Sequence, residues 1–226
     1  MESLSIGSAL PIVKFKNDLQ VEKLKSTSLF TIPNFLSSYE CDCFIKYAEK
    51  SGFLHQGSLG PAKGEAFRDN DRISIEDIGL AENLWLSGLS NVFREIKVEG
   101  RSACGLNPNI RFYSLCRYKV GQRFGPHIDE SVDLDQRRTE YTLLIYLNGS
   151  GMRNKKSISK GGKDINQQLQ GGETVFYSGR KREIIEVAPM AGMALLHLHG
   201  EKCMLHEART VSKGIKYVLR SDVVFG

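Results

Sequence analysis

From residue 110 to the C-terminus, short apolar runs follow one another with turn residues between them, and this limits the fold more than anything else in the chain. IRFYSLCRYK, TEYTLLIYLN, ETVFYS, EIIEVAP, MALLHLH and KYVLRSDVVF each have the length and the β-branched or aromatic content of a strand. Few helical stretches separate them. Parallel strands need long crossovers, usually helices, so this series predicts an antiparallel sandwich or barrel and argues against a doubly wound sheet. The Gly-, Ser- and Lys-rich segment 149–170 reads as a surface insertion.

The first half has a different texture. SLFTIPNFLS (28–37) is a short strand that Pro33 interrupts, and Ser37 with Glu40 has the spacing of a capping box. That box opens an amphipathic helix, which Gly52 closes. A Gly-rich loop is expected over 55–73, and AENLWLSGLSNVFREI (81–96) has apolar residues at helical spacing. Residues 1–105 are thus expected to form a mixed helical support and residues 106–226 the β core of the same domain. The class is mainly β with some helix (α+β). A chain of 226 residues, 41% hydrophobic and 25% charged, is sufficient for one fair-sized globular domain.

Composition also removes several classes of function. The longest apolar runs fall far short of a membrane-crossing helix, and the N-terminus, MESLSIGSALPIVKFK, lacks the apolar stretch of a secretory leader. Five cysteines, an odd number and scattered, suit a reducing compartment, so a cytoplasmic or nuclear location away from membranes is expected. The net charge of +5 is concentrated in RNKKSISKGGK (153–163) and GRKR (179–182). No aromatic residues interleave the first run to stack bases, so a solvated loop is favoured over a nucleic-acid interface.

Within the β half, PHID places His127 and Asp129 one residue apart, so that on a strand both project to one face. Two histidines and one carboxylate on a single face of a metal leave the opposite positions open, the arrangement of non-haem Fe(II) enzymes. The third ligand would be a histidine on a distant strand, and His55, His197, His199 and His206 are the candidates. His55 precedes the strand series and is set aside. His197-x-His199 with His206 makes a rival, cupin-like cluster, but no glutamate follows at cupin spacing and MALLHLH reads as a core strand.

Five blocks, CRYKVGQRFGPHID, LLIYLN, GGETVFY, VAPMAGMALLH and HEARTVSKGIKY, resemble in order and spacing the 2-oxoglutarate- and Fe(II)-dependent dioxygenases, most nearly the prolyl 4-hydroxylase branch. The resemblance spans about residues 110–225. It implies a double-stranded β-helix (jelly roll) core with the N-terminal helices packed against it. It implies Fe(II), 2-oxoglutarate and O2 as cofactors, with ascorbate as an accessory. His127, Asp129 and His206 would be the iron ligands. Lys216 would pair with the distal carboxylate of 2-oxoglutarate, and the hydroxyls of Tyr118 and Thr174 would help bind it. The implied reaction hydroxylates an unactivated C–H and releases succinate and CO2. Because Asp129 keeps the carboxylate that halogenating relatives lack, the implied product is an alcohol.

The substrate is expected to be a residue of a protein or a small amino-acid-like molecule. After Lys216 the chain reads YVLRSDVVF, without the tryptophan of the collagen- and cell-wall-modifying enzymes. Lys216, Val218 and Arg220 alternate, so Arg220 should face the barrel interior and need an anionic partner: an internal acid such as Asp222 or Glu130, the substrate, or the cosubstrate. Asn70 and Arg72, in FRDNDRI (67–73), fall where relatives carry a loop that covers the substrate. Two alternatives are an oxidative demethylase of nucleic-acid bases, which the basic 153–163 run keeps open, and a non-catalytic binding module on the same barrel.

Overall fold

The C-terminal strand Ile215–Phe225 is the hub of the fold. It pairs with Arg137–Tyr146 on one side and with Asn109–Cys116 and Arg101–Leu106 on the other. Its side chains alternate: Tyr217, Leu219, Val223 and Phe225 enter the main hydrophobic core, while Lys216, Val218 and Arg220 line a cavity on the opposite face. The computed structural model in which this is seen describes residues 10–57, 69–116, 124–150, 169–177 and 183–226.

Around that strand the described residues form a large antiparallel sheet in the order Glu22–Lys25, Leu29–Ile32, Ala194–Leu198, Arg137–Tyr146, Ile215–Phe225, Asn109–Cys116, Asp69–Glu76, Leu54–Gly57. A second antiparallel sheet runs Glu183–Val187, Thr174–Tyr177, His206–Ala208, Phe124–His127. Both sheets contribute walls to the one cavity. This is the jelly-roll arrangement expected, with helices covering the outer face of the larger sheet.

The capping box is present as read. Ser37 N donates to Glu40 Oε2 at 2.7 Å, and Glu40 N donates to Ser37 Oγ at 3.3 Å. The helix Ser38–Ser51 buries Cys41, Phe44, Ile45 and Ala48 and ends at Gly52, whose φ of 81° favours glycine. Among the described residues no helix is long and apolar enough to cross a membrane.

Two expectations need correction. The helix expected over 81–96 is broken into Ile78–Leu84, a π-turn at Trp85–Leu89, and Ser90–Val92. The cause is tertiary: Lys16 N donates to Ser87 O at 2.9 Å, and Gly88 takes φ 139° where a Cβ would come within 2.9 Å of Lys16 O. The loop expected over 55–73 is instead two strands where it is described, Leu54–Gly57 and Asp69–Glu76, paired with each other and onward to Asn109–Cys116. Ile73 and Ile75 pack on the core while Ser74 and Glu76 stay exposed, so the alternation of a strand lies in RISIE beneath the Gly-rich flank. Asn70 and Arg72 therefore stand on a strand and not on a covering loop.

Phe93 joins the helical cover to the sheet. It is 2% exposed, and its ring lies 5.2 Å from Tyr141, 6.0 Å from Phe30 and Trp85, and 6.1 Å from Phe225. Phe93→Ala should lower stability by about 3–5 kcal/mol, read as a lower urea midpoint at nearly unchanged slope.

Candidate active site

His127 ends the strand Phe124–His127, His206 begins His206–Ala208, and the two are directly paired across that ladder with ring centroids 4.2 Å apart. Asp129 lies two residues past His127, beyond the end of the strand, where its carbonyl accepts Gly200 N at 2.8 Å. Each histidine places Nδ1 at 2.9 Å from the backbone carbonyl two residues before it, Gly125 O for His127 and Met204 O for His206. A carbonyl can only accept, so the proton sits on Nδ1 and the Nε2 lone pair is free. Both Nε2 atoms face Asp129, at 3.6 and 3.5 Å. The ligand atoms of His127, Asp129 and His206 lie within 4.8 Å of one another. Two imidazoles and a carboxylate so converged are a donor set that fits Fe(II).

The Asp129 carboxylate is held from several sides. Arg220 Nη1 donates to Oδ1 at 3.0 Å and Thr142 Oγ1 donates to Oδ2 at 2.8 Å. Burial would raise its pKa, but the Arg220 charge beside it holds it well below the usual carboxylate range. Arg220 spans from there to Asp222 Oδ1 at 3.3 Å, so its internal partners are Asp129 and Asp222.

At the other end of the cavity, Lys216 is buried to 2% exposure and its Nζ donates to Gly172 O at 2.5 Å, above the ring of Tyr146. Gly172 has φ 77°, and a Cβ there would come within 3.0 Å of the Lys216 stem. Among the described residues no carboxylate lies within ion-pair distance of Lys216. Burial pushes its ammonium down to about 8. The Tyr146 and Thr174 hydroxyls share a hydrogen bond of 2.7 Å beside it. A buried cation with hydroxyls alongside fits a dicarboxylate, whose charge must be matched if it is to leave water. A single cavity lined from both sheets joins the two ends.

Of the site residues read from sequence, His127, Asp129, His206, Lys216, Thr174, Arg220 and Asn70 all line this cavity, and Arg72 does not. Tyr118 lies outside the described residues. Sequence reasoning missed Thr142 and Tyr146, although the alternation of TEYTLLIY puts both on the face of Leu144, which lines the cavity. It also passed over His197. That ring is 2% exposed, stands 4.6 Å from His206 and has Nε2 at 3.7 Å from Asp129 Oδ2, with no hydrogen bond among the described residues. His199, by contrast, is a satisfied core histidine between Thr142 Oγ1 at 3.1 Å and Thr139 Oγ1 at 3.0 Å.

Residues 113–221 match the profile of the 2OG-Fe(II) oxygenase superfamily. The fold is similar to that of a viral collagen prolyl hydroxylase from Paramecium Bursaria Chlorella virus-1 bound to 2-oxoglutarate, with a TM-score of 0.54 and 19% identity over 89% of this chain and 97% of that one. It is similar also to a Pseudomonas putida prolyl-4-hydroxylase, with a TM-score of 0.52 and 17% identity over 87% and 91% of the two chains. A third similar structure is a Trichoplax adhaerens prolyl hydroxylase in complex with a hypoxia inducible factor peptide, with a TM-score of 0.57 and 16% identity over 88% and 84%. No curated protein matches the chain by sequence.

The buried Lys216 has a consequence for stability. An unfolded lysine holds its proton up to the ordinary 10.5 and the folded one only to about 8, so between those values the unfolded chain binds more protons and stability rises with pH. Metal-free protein should therefore gain stability from Lys216 as pH rises through this window, and Lys216→Met should remove that component of the urea-midpoint profile.

Proposed function

We propose, from the match of residues 113–221 to the profile of the 2OG-Fe(II) oxygenase superfamily, that His127, Asp129 and His206 hold the metal and that Lys216, Thr174 and Tyr146 receive the distal carboxylate of 2-oxoglutarate. The chemistry is that of an Fe(II)- and 2-oxoglutarate-dependent dioxygenase, in which Fe(II), 2-oxoglutarate and O2 together hydroxylate an unactivated C–H with release of succinate and CO2.

The observation that carries the residue assignment is the convergence of two tautomer-locked Nε2 atoms on one carboxylate, across a cavity from a buried lysine that has no carboxylate partner among the described residues. The remaining roles belong to the chain's own side chains. The Gly125 and Met204 carbonyls keep both rings presenting Nε2. Thr142 and Arg220 fix the Asp129 carboxylate, which offsets part of the metal charge. Lys216 neutralises the far end of the cosubstrate and sets its reach towards the metal. Leu115, Phe124, Leu144 and Val218 make an apolar wall that excludes water and keeps the oxidant on the substrate. The substrate is a residue of a peptide or a small amino-acid-like molecule; the prolyl hydroxylases among the similar folds, one of them bound to a peptide, support that range.

Anaerobic titration of Fe(II)-loaded protein with 2-oxoglutarate tests this. Wild type should show the weak visible charge-transfer band of a keto acid chelated to iron, and His206→Ala should lose it. Lys216→Met should raise half-saturation by about tenfold or more, the worth of a charged hydrogen bond. A folded wild-type protein without the band would overturn the assignment.

A further inference from the structure

Arg220 has a neighbour that the site above does not use. Arg220 and Arg111 are paired residues on adjacent strands, and both side chains reach Asp222: Arg111 Nη2 pairs with Oδ2, and Arg220 Nη2 pairs with Oδ1 at 3.3 Å. One carboxylate thus serves two guanidiniums. The second acid on Arg220 is Asp129, at 3.0 Å. The Nε atoms of both arginines are buried without a hydrogen-bond partner among the described residues, and Arg220 opens onto the cavity beside His127, Asp129 and His206.

The charges do not balance once Asp129 serves a divalent cation, and this step rests on the assignment proposed above. Metal (+2), Asp129 (−1), 2-oxoglutarate (−2) and Lys216 (+1) sum to zero. Arg220 (+1), Arg111 (+1) and Asp222 (−1) leave +1, sited at a guanidinium that faces the metal. Among the described residues the other acid on the cavity wall, Glu207, is only half-buried, sits on the opposite sheet and accepts the Tyr177 hydroxyl, while Glu173, also half-buried, bears on Lys216 at the far end. A buried, unmatched charge is costly, and a planar guanidinium at a cavity wall is suited to a carboxylate.

We propose that Arg220, backed by Arg111, binds a carboxylate of the substrate a few bonds from the carbon that is oxidised. The separation is short because Arg220 already touches an oxygen of Asp129, so any group it holds lies within about one residue's length of the metal. The substrate class is then a free amino acid bound through its α-carboxylate, or an acidic side chain. A neutral peptidyl residue leaves the charge unmatched.

The test uses full-length protein loaded with Mn(II) and 2-oxoglutarate, which does not turn over, and reads binding by calorimetry. The probes are the free L-amino acids and the N-acetyl N-methylamide of each, which lacks the α-carboxylate; the aspartate and glutamate derivatives keep the side-chain acid. Binding should be at least about tenfold tighter for a probe with a carboxylate than for its counterpart without one. Preference for free amino acids across the panel assigns the α-carboxylate, and binding of only the aspartate or glutamate derivatives assigns the side chain. Arg220→Gln should abolish the preference. Arg111→Gln, at a less buried position, should weaken it by releasing Asp222 to Arg220. Four results would overturn the proposal: no carboxylate probe binds, neutral derivatives bind equally, the preference survives in Arg220→Gln, or that variant loses 2-oxoglutarate affinity instead. Wild type that fails to take up Mn(II) and 2-oxoglutarate would reject the underlying site assignment, which separates the two failures.

Discussion

Successive side chains of a strand point to opposite sides, so the hub strand Ile215–Phe225 can put Tyr217, Leu219, Val223 and Phe225 into the core only by turning Lys216, Val218, Arg220 and Asp222 the other way. A slip of one residue would drive two cations and an acid into the aromatic cluster and expose the apolar set. Pairing along both edges, to Arg137–Tyr146 and to Asn109–Cys116, prevents that slip. The N-terminal helices therefore matter to the chemistry although none of them reaches the cavity. They supply the apolar surface that holds the outer face down, and the inner face follows.

Inside the cavity, the groups that face the proposed metal and cosubstrate positions are held by specific partners. Asp129 takes donors from Arg220 and Thr142, each histidine gives its Nδ1 proton to a carbonyl two residues back, and Lys216 leans on Gly172 O. Several of these partners are backbone atoms, whose positions are set by the ladders and not by side-chain rotamers. Such a site is preorganised: it does not have to rearrange to present its lone pairs.

Most of the β core was legible because alternation over TEYTLLIY and KYVLRSDVVF is strong and local. The convergence of His127, Asp129 and His206 was legible through the i, i+2 spacing together with the blocks that resemble a known family. The rest depends on contacts distant in sequence. Helical spacing over 81–96 says nothing of Lys16 and Leu19, which press on Gly88 and reshape that helix. The strand holding Asn70 was hidden because its pairing partner comes from residues 109–116, while its flank is rich in glycine. His197 was correctly placed in a core strand, but the sequence does not tell that this part of the core adjoins Asp129. Arg220 was expected to point inward and does, whereas its sharing of Asp222 with Arg111 required the register between two strands.

The direct pairing of His127 with His206 has a consequence for the order of events during folding. These residues are remote in sequence, so the ends of a long loop must close before the ladder that joins them can form. Until then the chain offers only His127 and Asp129 of the proposed ligand set, too few to fix a redox metal on one face. The same ladder forms one wall of the cavity. The proposed ligand set and its enclosure therefore arise together, and on that assignment a nascent or partly unfolded chain has no competent centre with which to oxidise itself or its surroundings.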